Sequence, residues 1–88
     1  MSILATTEKV FSTPDLHLSA FLQAKGKTVL RTERSGRRVF FVFEDSKGQC
    51  ENLERSFWNG EGTISARAFS NSLSTLKNWL FSDSRKMS

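Results

Sequence analysis

The chain holds one cysteine, one histidine, one proline and no tyrosine. With Cys50 alone an internal disulfide is excluded, and a lone cysteine without metal-ligand spacing fits a reducing compartment. His17 and Cys50, with no carboxylates clustered beside either, are too few ligands for a structural zinc site. The N-terminal apolar run Ile3-Leu4-Ala5 is too short for the apolar region of a secretory signal. No stretch nears the roughly eighteen apolar residues of a membrane span. These absences predict a cytoplasmic protein with no membrane contact and no cofactor. The glycines form neither GxGxxG nor GxxxxGK[ST], so no phosphate-cradling loop is expected, and they read as caps, turns and connectors. A nucleophilic Cys50 would need His17 as its base. Both lie in apolar arcs of expected helices, Cys50 as a small core residue and His17 as a half-buried packing residue. With no motif on which an active site could be built, the expectation is that the chain is not an enzyme.

What is present points to one small domain. Eighty-eight residues bury only about 60–65% of their unfolded surface, so the core must be economical and a large cleft is not expected. Hydrophobic residues make up 38% and charged residues 25%, the balance of a folded domain rather than a disordered one. With eight Phe and two Trp, aromatics carry much of the packing. The domain is expected over 9–81, with a flexible N-terminus at 1–8 and a disordered tail at 82–88, where "SDSRKMS" has no core residues.

A short strand is expected around Val10 and Phe11. Thr13 then reads as a helix N-cap, with Pro14 at the first helical position and Asp15 in the first turn. Leu18, Phe21 and Leu22 follow at helical spacing and Gly26 stops the run, which predicts a helix over Pro14–Lys25. "SKGQCENLERSFWNG" reads as a second helix. Ser46 and Gln49 have capping-box spacing, Cys50, Leu53 and Phe57 share a face, and Gly60 caps the end. In the third helix Ser65 is the cap, Ile64 staples onto Phe69, and Ala66, Phe69, Leu73, Leu76 and Leu80 form an apolar stripe.

Between the first two helices, "LRTERSGRRVFFVFED" reads as a hairpin with a Ser35-Gly36 loop. That loop pairs Glu33 with Arg38 and Lys27 with Glu44, two favourable opposite-charge pairs, and leaves only Arg34–Arg37 like-charged. Alternation then puts Leu30, Thr32, Val39, Phe41 and Phe43 on a core face. Val29, Arg31, Phe40, Val42 and the Glu33–Arg38 pair fall on the other. "VFFVF" is apolar throughout, so this strand is expected at the centre of its sheet, with the Val10 strand as second neighbour. The fold class is α+β. A small antiparallel or mixed three-stranded sheet with a central β-hairpin packs against three helices in the order β-α-β-β-α-α.

The segments "KVFSTPDLHLSAFL", "AKG", "RRVFFVFEDS", "FWNGEG" and "ISARAFSNSLSTLKNWLF" together resemble an uncharacterised domain family of short prokaryotic and phage-associated proteins. The likeness spans about Lys9 to Phe81. It implies the same element order and a non-enzymatic stand-alone domain. No activity is attached to the family, so no site residues are implied. It also implies an aromatic at the position of His17 in relatives, which favours packing over chemistry.

Function turns on the distribution of charge. Lys25, Lys27, Arg31, Arg34, Arg37 and Arg38 stand against the single acid Glu33, a net +5, whereas the remaining seven basic and eight acidic residues net −1. Localised basicity points to an anionic partner more strongly than a high pI does, although a soluble hairpin tip has the same composition. The first reading is a nucleic-acid-binding module that holds a single strand through Lys27, Arg31, Arg34, Arg37 and Arg38, with Phe40 as stacking platform. The stretch lacks the glycines of the RNP1 pattern. The alternative is a protein-interaction or homodimer module in which Val29, Phe40 and Val42 form an apolar patch rimmed by arginines, with Trp58 as a further interface anchor.

Overall fold

A computed structural model describes residues 9–87, with side chains described over 9–81. It contains β1 (Val10–Thr13), α1 (Leu16–Ala24), β2 (Val29–Ser35), β3 (Arg38–Glu44), α2 (Cys50–Asn59) and α3 (Ala66–Met87). This is the expected order. The strands form one sheet in the order β1-β3-β2, and both pairings are antiparallel. The wholly apolar strand is therefore central, flanked on both sides by neighbours that satisfy its backbone groups. Residues 1–8, expected as a flexible terminus, lie outside the described residues. The α3 backbone continues as helix to Met87, through most of the stretch read as a disordered tail. Once a helix exists, each added residue gains a hydrogen bond at the cost of fixing one residue.

The helix starts are set by aspartates and a serine. The cap of α1 is Asp15 rather than Thr13, and its Oδ1 accepts from the Leu18 N–H at 2.8 Å. Thr13 is unavailable because it ends β1 opposite Phe41, an extended conformation that Pro14 enforces on the residue before it. Its Oγ1 instead accepts from the Asp15 N–H at 3.2 Å. The expected Ser46–Gln49 capping box is likewise absent. Gln49, the N-cap of α2, makes no side-chain cap bond, and Asp45 Oδ1 accepts from the Cys50 N–H at 3.1 Å. An ionised acceptor makes the stronger bond. In α3 the expected cap forms, with Ser65 Oγ accepting from the Ala68 N–H at 3.1 Å.

All three helices pack on one side of the sheet. The buried cluster joins Leu18, Ala20, Phe21 and Leu22 of α1 to Phe41 and Phe43 of β3, Cys50 of α2 and Leu76 of α3. Phe11, Val29, Leu53, Phe57, Ile64, Phe69, Leu73, Trp79 and Leu80 close around it. Trp79 thus packs at the rim, as expected, and the α3 stripe begins at Phe69 because Ala66 is exposed. Gly62 has a role beyond connecting. A Cβ there would lie 2.5 Å from Cζ and 2.7 Å from Cε1 of Phe21, a ring only 2% exposed. The glycine lets the α2–α3 connection run directly against that ring.

Two substitutions test this core. Gly62→Ala is expected to cost about 1–3 kcal/mol, because the Phe21 ring has no free volume into which to retreat. Phe41→Ala is expected to cost about 3–5 kcal/mol, and Phe40→Ala, on the face without helices, less than half of that. Urea melts of the three variants check the order. Equal losses at Phe40 and Phe41 would contradict a sheet with one covered face.

Candidate functional site

The hairpin carries the site, and its register differs from the expected one. The loop is Gly36-Arg37 rather than Ser35-Gly36, with Ser35 opposite Arg38. Gly36 has φ +62, and no non-glycine residue among those described has positive φ. These are the signs of a type II′ turn, with glycine first. The expected loop would have put Ser35 at a positive φ, which costs an L-residue roughly 1–2 kcal/mol. Every pairing consequently moves, so that Arg34 faces Val39, Glu33 faces Phe40, Thr32 faces Phe41 and Arg31 faces Val42. The Glu33–Arg38 pair is replaced by an ion pair along β2, Arg31 Nε to Glu33 Oε2 at 2.8 Å.

The shift is even, so most residues keep their expected face. Phe41, Phe43 and Thr32 face the helices, and Arg31, Glu33, Arg38, Phe40 and Val42 share the other face. The exception comes from a bulge between Val29 and Arg31. Val29 faces Phe43 and packs against the core, while Leu30 is 38% exposed. Val29 and Leu30 thus exchange the sides expected for them, and Val29 leaves the candidate interface. Val42 lies on the helix-free face but is only 1% exposed. What that face offers a partner is Leu30, Val10, also 38% exposed, and half-buried Phe40.

The basic cluster divides in space. β1 pairs with β3 only over Phe41–Glu44, whereas β2 stays paired as far as Arg38. From Phe40 outward the hairpin is therefore a two-stranded ribbon, and no residue of 33–40 belongs to the core or packs on it. Arg34, Arg37 and Arg38 are all exposed on this ribbon, with exposed Arg31 near its base. Arg37 and Arg38 make no side-chain hydrogen bond or ion pair among the described residues. Lys27 is not part of this group. It stands nine residues before Gly36, about 30 Å along an extended strand, and its Nζ donates to Gln49 Oε1 at 2.6 Å. Hydrogen bonds from Ser46 chiefly hold the Glu44 carboxyl below its usual range, with the Lys27 charge assisting. Trp58, 60% exposed, lies on α2 in the helical layer and is not on the helix-free sheet face.

The two residues with catalytic potential are differently placed. His17 is exposed rather than half-buried. Its ring stacks at 6.3 Å on Phe69, so it still packs, from outside the core. Cys50 is fully buried. Burial first, and the Asp45 carboxylate beside it second, push its thiol up to about 12. Nucleophilic cysteines have the opposite environment, with cations that lower the thiol. Among the described residues no three of His, Cys, Asp and Glu gather as metal ligands, and no helix is long and apolar enough to cross a membrane.

Sequence reasoning missed Val10, Leu30 and Gly62. Alternation through Val10-Phe11-Ser12-Thr13 carried the signal for Val10, which shares a face with Ser12. No residue pattern announced the bulge at Leu30 or the ring beneath Gly62.

Residues 8–82 match the family model described as Domain of unknown function (DUF5659). No curated protein matches the chain. No solved structure matches it.

The Cys50 environment has a direct consequence. With the folded thiol raised above the ordinary value of 9.0, the stability contributed by the neutral thiol is complete below about pH 9. It is lost as pH climbs toward 12. At pH 8 a chromogenic disulfide reagent is expected to leave the native thiol unmodified and to titrate it at once in denaturant. Rapid reaction of the native protein would mean that Cys50 is neither buried nor suppressed.

Proposed function

Since the chain belongs to DUF5659, a family of unknown function, we propose from its geometry that it is a non-enzymatic nucleic-acid-binding module whose contact element is the β2–β3 ribbon. The observation that carries this reading is the projection of Arg34, Arg37 and Arg38 beyond the end of β1 and beyond the core. Arginine presents a planar fork of donors matched to phosphate oxygens. Exposed guanidinium groups at the end of a ribbon, above all those of Arg37 and Arg38, can reach a polyanion without displacing any part of the core. The suppressed Cys50 thiol and the stacked His17 ring support a binding role over a catalytic one.

A second reading is supported by a different feature. The helix-free sheet face exposes Val10 and Leu30 at 38% each, with half-buried Phe40 between charged neighbours. A protein partner, including a second copy of this chain, would cover that apolar surface and leave the arginines at its rim. This face and the ribbon tip are separable, since Leu30→Glu alters the first and leaves the second intact.

Fluorescence anisotropy with a labelled oligonucleotide, titrated at several salt concentrations, tests the first reading. With about four phosphate contacts, log K is expected to fall against log salt with a slope near −3 to −3.5. Replacing Arg37 and Arg38 together by Ala is expected to flatten that slope by about one and a half to two units, with no change in melting temperature. Absence of binding at low salt to single and double strands alike would leave the arginines as a solvated turn. The sheet-face reading would then stand alone, with Leu30→Glu expected to abolish any concentration-dependent rise in mass.

A further inference from the structure

The geometry points to double-stranded DNA as the partner, with the ribbon entering the major groove tip first; this rests on the nucleic-acid reading above and narrows it to a duplex. Three features of the ribbon carry the inference: its reach, the faces on which its charges lie, and the surroundings of its one aromatic.

Reach comes first. The last β3 residue paired with β1 is Phe41, and Arg37 lies in the turn four residues beyond it. At about 3.3 Å per residue the tip extends about 13 Å past the three-stranded part of the sheet. The major groove of B-DNA is about 8.5 Å deep and about 12 Å wide and admits a two-stranded ribbon without deformation; the minor groove, about 6 Å wide, takes one only at the cost of bending or widening the duplex. The major groove of A-form RNA is too narrow for side chains to enter.

The faces come second. Arg34 is opposite Val39 and Ser35 is opposite Arg38. Residues directly opposite share a face and successive residues alternate. Arg34 and Arg38 therefore project from opposite faces, and Arg37 lies at the end between them. A single strand laid across a sheet meets one face only, and Arg34 would be on the wrong side of it. A groove presents phosphates on both walls, which is the arrangement that cations on both faces and at the tip can meet together.

The third feature is negative for a single strand. Phe40 is the one aromatic on the helix-free face of the ribbon. It is half-buried and sits opposite Glu33. Base stacking uses exposed aromatic platforms in a basic groove. Here the only ring is half-buried beside the Arg31–Glu33 ion pair, which leaves little of its face open for a base to stack on.

The test uses the full chain and three labelled ligands of one sequence, each of about two helical turns: a DNA duplex, its single strand, and the RNA duplex. Anisotropy titrations at about 0.1 M salt are expected to give at least about tenfold tighter binding to the DNA duplex than to either alternative. Arg34→Ala and Arg38→Ala are each expected to weaken duplex binding by about five- to tenfold, the loss of one phosphate contact at that salt. Phe40→Ala is expected to change it by less than about twofold. Arg34→Lys keeps the charge and is expected to recover most of the affinity, which separates a phosphate contact from a local structural role. Single-strand binding as tight as duplex binding, with Arg34→Ala silent and Phe40→Ala costly, overturns groove entry and leaves the nucleic-acid reading standing. Equal binding to the RNA duplex overturns it as well. No binding to any of the three removes both readings.

Discussion

Phe41 and Phe43 of β3 lie in one buried cluster with Leu18, Phe21 and Leu22 of α1, and the rest of the fold is arranged around that junction. A fully buried side chain of this size is worth about 1.5–3 kcal/mol, against a net stability of about 5–15 kcal/mol for a whole domain. No single ring in this cluster is dispensable. Phe21 is the most constrained of them. The Phe57 ring lies 5.2 Å away, the Lys25 ammonium sits 5.6 Å from its centroid, and the backbone at Gly62 runs against it. The ring therefore ties α1, α2 and the α2–α3 connection to one point. Among the described residues the helices contribute their core side chains to this side of the sheet, while on the other face the central Val42 is still only 1% exposed.

Much of this was legible in the sequence, and the failures have a common cause. Helical periodicity, the apolar run of β3 and the cap at Ser65 are local signals strong enough to fix element type and order. The misread details were competitions between neighbours. Thr13 and Asp15 both have capping side chains, and strand pairing removed Thr13 from the contest. Ser46 has capping-box spacing, yet Asp45 holds a charge and reaches the Cys50 N–H first. Ser35-Gly36 and Gly36-Arg37 are both two-residue loops containing the same glycine. Opposite-charge pairing favoured the former, but a serine at positive φ costs roughly 1–2 kcal/mol, which offsets what two exposed cross-strand pairs return at about 0.2–1 kcal/mol each, and the like-charged Arg34–Arg37 pair opposes that loop as well. Because the resulting shift was even, the residues of the candidate site were named on the correct face although most of their partners were not. Only Val29 and Leu30, beside the bulge, were exchanged.

The grouping of charge was less legible than its amount. In sequence Lys25, Lys27 and the arginines form one basic block. Folding separates them, because a strand of seven residues lies between the lysines at one end of the hairpin and the turn at the other. Sequence proximity measures contact poorly along an extended chain, where nine residues can span about 30 Å. The arginines remain together, on a ribbon that among the described residues is held chiefly by β2–β3 pairing. Two-stranded ribbons are marginal in isolation, and like charges gathered at one end of a ribbon repel one another to a degree that salt screens. An anion that neutralises them removes that repulsion and is favoured for a reason independent of any individual contact.

The same separation gives the domain a direction. β3 begins at Arg38 and ends at Glu44, about 20 Å apart, so the central strand has its cations at one end and its acids at the other. Beyond Glu44 come Asp45, Glu51, Glu54 and Glu61 around α2 and its exit, together with Lys47 and Arg55, a net −3 over 44–61, and Lys27 lies against Gln49 at the same end. Over its whole length α3 carries Arg67, Lys77, Arg85 and Lys86 against Asp83, a net +3, so the ribbon is not the molecule's only basic element. On the proposed reading a polyanion would meet cations at the turn end of β3 and a mixed, mildly acidic surface at the α2 end, and fields of that kind orient partners before they touch. The ribbon end thus joins the two properties that the proposed contact needs, exposed arginines and no part of the core.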